Sequence, residues 1–161
     1  MAVHIPNRDE KTLILGVGNP LCGDDGLGIA AVQILKEREL PSDVFVEAAH
    51  TPGWELPNWL DGWSSVVIID AVRMGKQPGE WHRFSPEEVR ILYEDEILSL
   101  HQPGLAAGLE LAEALNILPE KLTLYGVEPA NTDMDEGLSP EVTQILPNLI
   151  NHIMDDIGNR K

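Results

Sequence analysis

The sequence predicts an open α/β sheet with helices on both of its faces. Short apolar segments typical of strands alternate with segments of helical periodicity, a pattern that indicates a mainly parallel sheet. One of these strands is a continuous β-branched run, as expected for a strand buried on both faces. The 161 residues suffice for one core, so we expect a single domain over 1–161 with a loose extension at 1–11.

The first third of the chain is expected to form a strand, a helix and a second strand. Thr12 to Val17 is a short apolar run that ends at Gly18. From Gly26 onward apolar residues recur at helical spacing, and Pro41 marks the end of this helix. Its predicted buried face comprises Leu27, Ala30, Ala31, Ile34 and Leu35. The second strand is expected at 44–48.

The middle of the chain is expected to supply a short helix and two more strands. Residues 51–60 begin with turn residues and then form a short helix that we expect to be interrupted near Pro57. The β-branched run at 64–72 is the strongest strand signal in the chain. A further strand at 80–84 is expected at an edge of the sheet.

The last third is expected to contain three helices and a strand. Ser85 begins one helix as N-cap, and Ser139 begins the last one in the same way, each followed by proline. A strand is expected at 122–127. The helix after His101 has a face of Leu105, Gly108, Leu109 and Ala112. The last helix has a face of Val142, Ile145, Leu146, Leu149 and Ile153.

The charge of the chain argues against nucleic acid as a partner. The formal net charge is −16, and the 11 lysines and arginines form no cluster that could replace counterions along phosphates. Anionic membranes are disfavoured for the same reason, whereas a basic patch on a protein partner would be attracted. The simpler explanation of the acidity, and the favoured one, is an ordinary solvated surface.

The sequence also favours a cytoplasmic protein. The first ten residues contain neither the basic nor the apolar region of a signal peptide, and no apolar run is long enough to span a bilayer. Cys22 is the only cysteine, so no internal disulfide can form.

Ligands of open α/β sheets bind beyond the carboxyl ends of the strands, which selects 19–25, Asp70 and Glu128. The glycine-rich loop after the first strand does not fit a nucleotide, because its third fingerprint position is Leu21 and it contains no lysine. Two adjacent carboxylates at a helix start would also repel phosphate.

The two adjacent aspartates, Asp24 and Asp25, are better explained by a helix cap and a ligand-facing carboxylate. One of them can cap the helix, with Asp24 the better candidate, and the other can face the crevice. Asp70 follows an apolar strand and either caps a turn, pairs with Arg73 or points into the crevice. His101 is either a cap or surface residue or a metal ligand. Two carboxylates and a histidine together would form an oxygen and nitrogen metal site.

Five motifs follow one another along the chain, at Gly16–Gly28, at Ile69–Ala71, at His101, at Gly126–Pro129 and at Gly137–Pro140. Their order and spacing resemble those of the nickel–iron hydrogenase maturation endopeptidases, from about Thr12 to Ile153. The resemblance implies a twisted, mostly parallel five-stranded sheet between helices. It also implies removal of a C-terminal extension from the precursor of the hydrogenase large subunit after nickel insertion.

In this family nickel carried by the substrate is the recognition signal. Position by position, the resemblance assigns the metal contacts and the catalytic role to Asp25, Asp70 and His101. We therefore expect a cytoplasmic, monomeric peptidase with no organic cofactor, no nucleic-acid partner and no membrane insertion. Its partner is the large-subunit precursor of a hydrogenase that the sequence does not identify.

The chain departs from the family at 48–53, where relatives carry an acidic residue and paired glycines and this chain carries His50. His50 is either a loop histidine or a further ligand near the crevice, and the change bears on partner specificity. Thiol attack by Cys22 is the alternative nucleophilic mechanism, although no neighbouring group would activate it. No serine triad and no His-Glu-x-x-His zinc motif is present.

Two other functions use the same residues. One is a hydrolase of small molecules with a resident metal, and the other is a non-catalytic binding module or chaperone for a metalloprotein. Such a module would need exposed docking residues, but the four tryptophans are expected to pack in or beside the core: Trp54, Trp59, Trp63 and Trp81.

Overall fold

The computed structural model describes residues 10–96, 103–135 and 137–160. In this part of the chain five strands form one sheet in the order β2-β1-β3-β5-β4. The strands are β1 Thr12–Val17, β2 Val44–His50, β3 Ser65–Ala71, β4 Trp81–Phe84 and β5 Lys121–Val127. The helices are α1 Leu27–Lys36, α2 Leu56–Leu60, α3 Pro86–Glu96, α4 Pro103–Ala114 and α5 Pro140–Gly158.

The pairing of the strands confirms the predicted mostly parallel sheet. β1 pairs in parallel with β2 and β3, and β3 pairs in parallel with β5. β4 pairs antiparallel with β5 and forms the predicted edge strand. The carboxyl ends of the four parallel strands therefore meet at one edge, which we call the carboxyl edge.

Helices cover both faces of the sheet, as predicted. Leu13 and Leu15 of β1 pack towards α2, α3 and α4, whereas Ile14 between them packs towards α1 and α5. The same alternation divides β3, where Val66 and Ile68 share the first face. This alternation follows from the two-residue period of a strand, and it builds a three-layer domain.

The short helix α2 differs from its prediction. Pro57 lies in the first turn of α2 and does not interrupt it. A proline is tolerated there because the first helical N–H groups have no partner within the helix. A 3₁₀ turn, Gly53–Glu55, supplies the turn that precedes the helix.

The last helix, α5, begins as predicted, because the Ser139 hydroxyl accepts a hydrogen bond from the Val142 N–H at 3.3 Å. Of its predicted face only Ile145 is partly exposed, and the rest is buried. Its other face is polar. None of the helices in the described ranges combines the length and the apolar character needed to cross a membrane.

A charged network fastens the end of α5 to β5. The Tyr125 hydroxyl donates to Asp156, and Arg160 donates to the same carboxylate, both at 2.9 Å. Burial and the neighbouring Asp156 raise the pKa of Tyr125 to about 12. Burial acts to raise the pKa of Asp156, but the Tyr125 hydrogen bond and the Arg160 and Arg83 charges outweigh it and lower that pKa.

The start of α1 lies directly against the backbone of two strands. A Cβ atom on Gly28 would lie 2.3 Å from the Ile69 carbonyl oxygen of β3 and 2.5 Å from the Val17 carbonyl oxygen of β1. A Cβ on Gly16 would lie 2.3 Å from the Gly28 carbonyl oxygen. Two glycines facing each other therefore allow α1 to approach the sheet at its carboxyl edge.

We expect Gly28→Ala to lower the free energy of unfolding by about 1–3 kcal/mol, because the added methyl group must displace backbone atoms. Gly158→Ala is the matched control, since no atom lies within 4 Å of its added methyl group. The control should be neutral or stabilise the protein by up to about 1 kcal/mol. Urea unfolding of the three proteins measures both effects, and equal stabilities would contradict the packing described here.

Candidate active site

A 3₁₀ turn joins β1 to α1 and carries both aspartates of the first motif. We call Gly23–Gly26 the aspartate turn. The Asp25 carboxylate accepts a hydrogen bond from the Asn19 N–H at 2.9 Å. The backbone N–H of Asp25 donates to the Cys22 carbonyl oxygen at 3.1 Å. Asp25 is partly exposed, so its carboxylate can meet a ligand at the carboxyl edge.

Asp70 approaches the same place from β3. It is the second-last residue of that strand, and only 1% of its surface is exposed. One carboxylate oxygen accepts a hydrogen bond from the Ala71 N–H at 2.8 Å. Arg73, the predicted alternative partner of Asp70, donates to the Thr132 hydroxyl at 2.9 Å.

Gly18 lies between the two aspartates. A Cβ atom on Gly18 would lie 1.9 Å from the Asp25 carbonyl oxygen and 3.7 Å from a carboxylate oxygen of Asp70. Gly18 has a φ of 127°, which side-chain-bearing residues rarely adopt. The structure thus places the aspartate turn and the end of β3 against the same residue, as the strand-end rule predicts.

His101, the third predicted ligand, lies outside the described residues, and its role stays a prediction. Within the described ranges no three carboxylate, imidazole or thiol groups form a metal-binding cluster. The three-residue set is therefore untested as a whole, and only Asp25 and Asp70 can be located.

Asp24 does not cap α1, so that prediction is wrong. The N-cap of α1 is Gly26, which has no side chain to accept a bond, because the aspartate turn intervenes before the helix. The Asp24 carboxylate is buried and binds the segment between β5 and α5 instead. It accepts hydrogen bonds from the N–H groups of Ala130, Asn131 and Ser139 at 2.8, 3.2 and 2.7 Å.

Glu128, the other residue selected by the strand-end rule, holds a neighbouring loop. Its buried carboxylate accepts hydrogen bonds from the N–H groups of Met74 and Lys76 at 3.0 and 2.5 Å. Its backbone N–H and carbonyl bond to Glu80 and Gly79. Glu128 therefore shapes the loop between β3 and β4.

Two residues with open roles lie at the same edge. His50 ends β2 with an exposed side chain and a φ of 56°, and its carbonyl oxygen accepts a hydrogen bond from the Gly18 N–H at 2.7 Å. Cys22 is partly buried just before the aspartate turn. His50 therefore lies beside the loop after β1, and Cys22 lies within that loop. The ligand role of His50 and thiol attack by Cys22 stay predictions.

The carboxyl edge also exposes apolar side chains that sequence reasoning missed. Trp54 follows β2 and is 70% exposed, so its predicted core packing is wrong, whereas Trp63 is buried and Trp59 and Trp81 are partly buried. Leu21 follows β1 and is 53% exposed. Met134 follows β5 and is 84% exposed. No periodicity marks residues in such loops, so the sequence holds no signal for their exposure.

Comparison with known proteins identifies the family. The family model HycI, hydrogenase maturation protease, matches residues 29–156. The Hydrogenase 2 maturation protease of Escherichia coli is 34% identical over 146 residues, which are 89% of this chain and 88% of that protein. The hydrogenase expression/formation protein HupD of Bradyrhizobium diazoefficiens is 32% identical over 146 residues, which are 89% of this chain and 76% of that protein.

The fold agrees with the sequence matches. The solved structure of the hydrogenase maturating endopeptidase HybD from E. coli superposes with a TM-score of 0.84 and 32% identity over 93% of each chain. The similarity extends over most of the chain in both sequence and fold. This chain therefore belongs to the hydrogenase maturation protease family, and it is a peptidase.

Proposed function

We propose that this peptidase removes the C-terminal extension of the large-subunit precursor of a nickel–iron hydrogenase after nickel insertion. Nickel carried by the precursor is its recognition signal. The observation that carries the proposal is the convergence of Asp25 and Asp70 on Gly18 at the carboxyl edge of the sheet. Family membership supports the class of substrate, and the position of the two aspartates supports recognition of a metal.

The two aspartates suit a metal that arrives with the substrate. Carboxylate oxygens and an imidazole nitrogen bind divalent nickel, and His101 is the proposed source of the nitrogen. Asp25 comes from the turn after β1 and Asp70 from the end of β3, so both can approach one ion from the protein side. The precursor supplies the remaining ligands.

Cleavage of the precursor requires a polarised carbonyl group and an activated water. Nickel held between precursor and protease positions the scissile bond at the carboxyl edge. Water adds to the carbonyl carbon, the C–N bond breaks, and the released peptide takes up the proton on its new amine. Nickel and an adjacent carboxylate are the two groups that can assist the water.

Apolar side chains beside the two aspartates favour a protein as substrate. Trp54, Leu21 and Met134 belong to the loops that follow three different strands at this edge. Met134 lies next to Asp135, whose carbonyl oxygen accepts a hydrogen bond from the Gly23 N–H of the aspartate turn at 2.7 Å. Exposed aromatic and apolar anchors next to a reactive site are typical of protein interfaces.

The cytoplasmic location, the monomeric state and the absence of an organic cofactor stay predictions. The substrate-borne metal is likewise a prediction that distinguishes this proposal from a hydrolase with a resident metal. Metal analysis of the purified protein separates these two, because a resident metal would be present in equal amount with the chain.

We expect Asp25→Asn, Asp70→Asn and His101→Gln each to lower the rate of precursor processing roughly 100-fold, because each replaces a proposed metal ligand with a weaker amide oxygen. Intact-mass measurement of the nickel-loaded precursor over time gives the rate. Asp155→Asn is the control, since it makes the same chemical change on an exposed face of α5. Normal processing by Asp25→Asn and Asp70→Asn would refute the assignment.

We expect Trp54→Ala to raise the KM for the precursor roughly 10-fold with little change in kcat, because it removes docking area and no reacting group. Leu115→Ala is the control, since Leu115 is also exposed but follows α4 near the amino end of β5. Steady-state kinetics with nickel-loaded precursor measures both variants. An unchanged KM for Trp54→Ala would remove Trp54 from the interface.

A further inference from the structure

The carboxylate of Asp24 binds both ends of one loop. The loop between β5 and α5, residues 128–139, leaves the sheet at Glu128 and enters α5 at Ser139. One carboxylate oxygen of Asp24 accepts from Ala130 and Asn131 at the beginning of this loop, and the other accepts from Ser139 at its end. Hydrogen bonds to an ionised acceptor are stronger than those between neutral groups.

The backbone of the aspartate turn reinforces the same connection. The Asp24 N–H donates to the Asn131 carbonyl oxygen at 2.8 Å, and the Gly23 N–H donates to the Asp135 carbonyl oxygen at 2.7 Å. A Cβ on Gly23 would lie 2.6 Å from the Asn131 carbonyl oxygen, so turn and loop are in direct backbone contact. The loop thus holds the turn through backbone as well as side-chain hydrogen bonds.

The turn is also held by the two residues that follow β1. The Asp25 carbonyl oxygen packs against Gly18, and the Asp25 carboxylate accepts the Asn19 N–H. Asp25 is therefore placed between two attachments: Gly18 and Asn19 on one side, and Asp24 with its loop on the other. Loss of the Asp24 side-chain hydrogen bonds leaves the turn joined to this loop only through the backbone bonds of Gly23 and Asp24.

We propose that Asp24 is a positioning residue that fixes the Asp25 carboxylate in the orientation that meets nickel in the precursor. This inference rests on the proposed function. Asp24 itself is 1% exposed and bonded to the loop, so it acts through its neighbour and does not touch the metal. Groups that orient metal ligands typically change metal affinity roughly 10- to 100-fold when they are replaced.

The test compares the affinity of the full-length protease for nickel-loaded and nickel-free precursor. Binding is measured in the cold, and intact mass confirms that the precursor is uncut. The readout is the ratio of the two Kd values, which we call the nickel preference. General destabilisation of the protease weakens binding of both precursor forms alike and leaves this ratio unchanged.

We expect Asp24→Asn to lower the nickel preference roughly 10-fold or more. The asparagine NH₂ group would replace one acceptor oxygen and face backbone N–H donors, so the loop would lose hydrogen bonds to this side chain. The double variant with Asp25→Asn should show no further loss beyond Asp25→Asn alone, since Asp24 acts through Asp25. Ser139→Ala is the matched control. This substitution removes the hydroxyl that caps α5 but keeps the backbone N–H that donates to Asp24. The variant should therefore retain the wild-type nickel preference.

Asp24→Glu is the second variant, used if Asp24→Asn does not give a cooperative melt. It keeps both acceptor oxygens but adds a methylene group that shifts the turn, and the same loss of preference is expected. A wild-type nickel preference in whichever variant folds would overturn the inference. A wild-type protease that binds both precursor forms equally would instead refute the proposed function.

Discussion

Asp25 and Asp70 both lie against Gly18, because this residue has no side chain to keep them away. At Gly18 the chain leaves β1 with a φ of 127° and passes against both the Asp25 carbonyl and the Asp70 carboxylate. Gly28 allows a second close backbone contact, since its missing side chain lets the start of α1 pack against the ends of β1 and β3. Backbone contact between turn, helix and strands therefore sets the geometry on which the active site depends.

The aspartate turn and the end of β3 place carboxylates at this edge of a chain whose formal net charge is −16. Carboxylates attract a divalent cation. In the proposed function the cation comes with the substrate, so an unloaded precursor lacks this attraction. The same charge that disfavours nucleic acid thus favours a metal-bearing protein.

Local patterns predicted most of the fold. Apolar patterns located the five strands of the described residues, and serine followed by proline marked the helix starts at Ser85 and Ser139. The strand-end rule selected 19–25, Asp70 and Glu128, and the family resemblance singled out Asp25 and Asp70. The partners of the Asp24 carboxylate were not predictable, because Asp24 bonds to Ala130, 106 residues further along the chain. The exposure of Trp54 has no local signal either, since it depends on which surface the loop after β2 leaves uncovered.

In the proposed function, cleavage requires nickel in the substrate. The most direct measurement is the intact mass of the large-subunit precursor before and after mixing with this protease, in nickel-loaded and nickel-free forms. The account predicts that only the loaded form loses a C-terminal peptide. Equal cleavage of both forms, or cleavage of the nickel-free form alone, would contradict it.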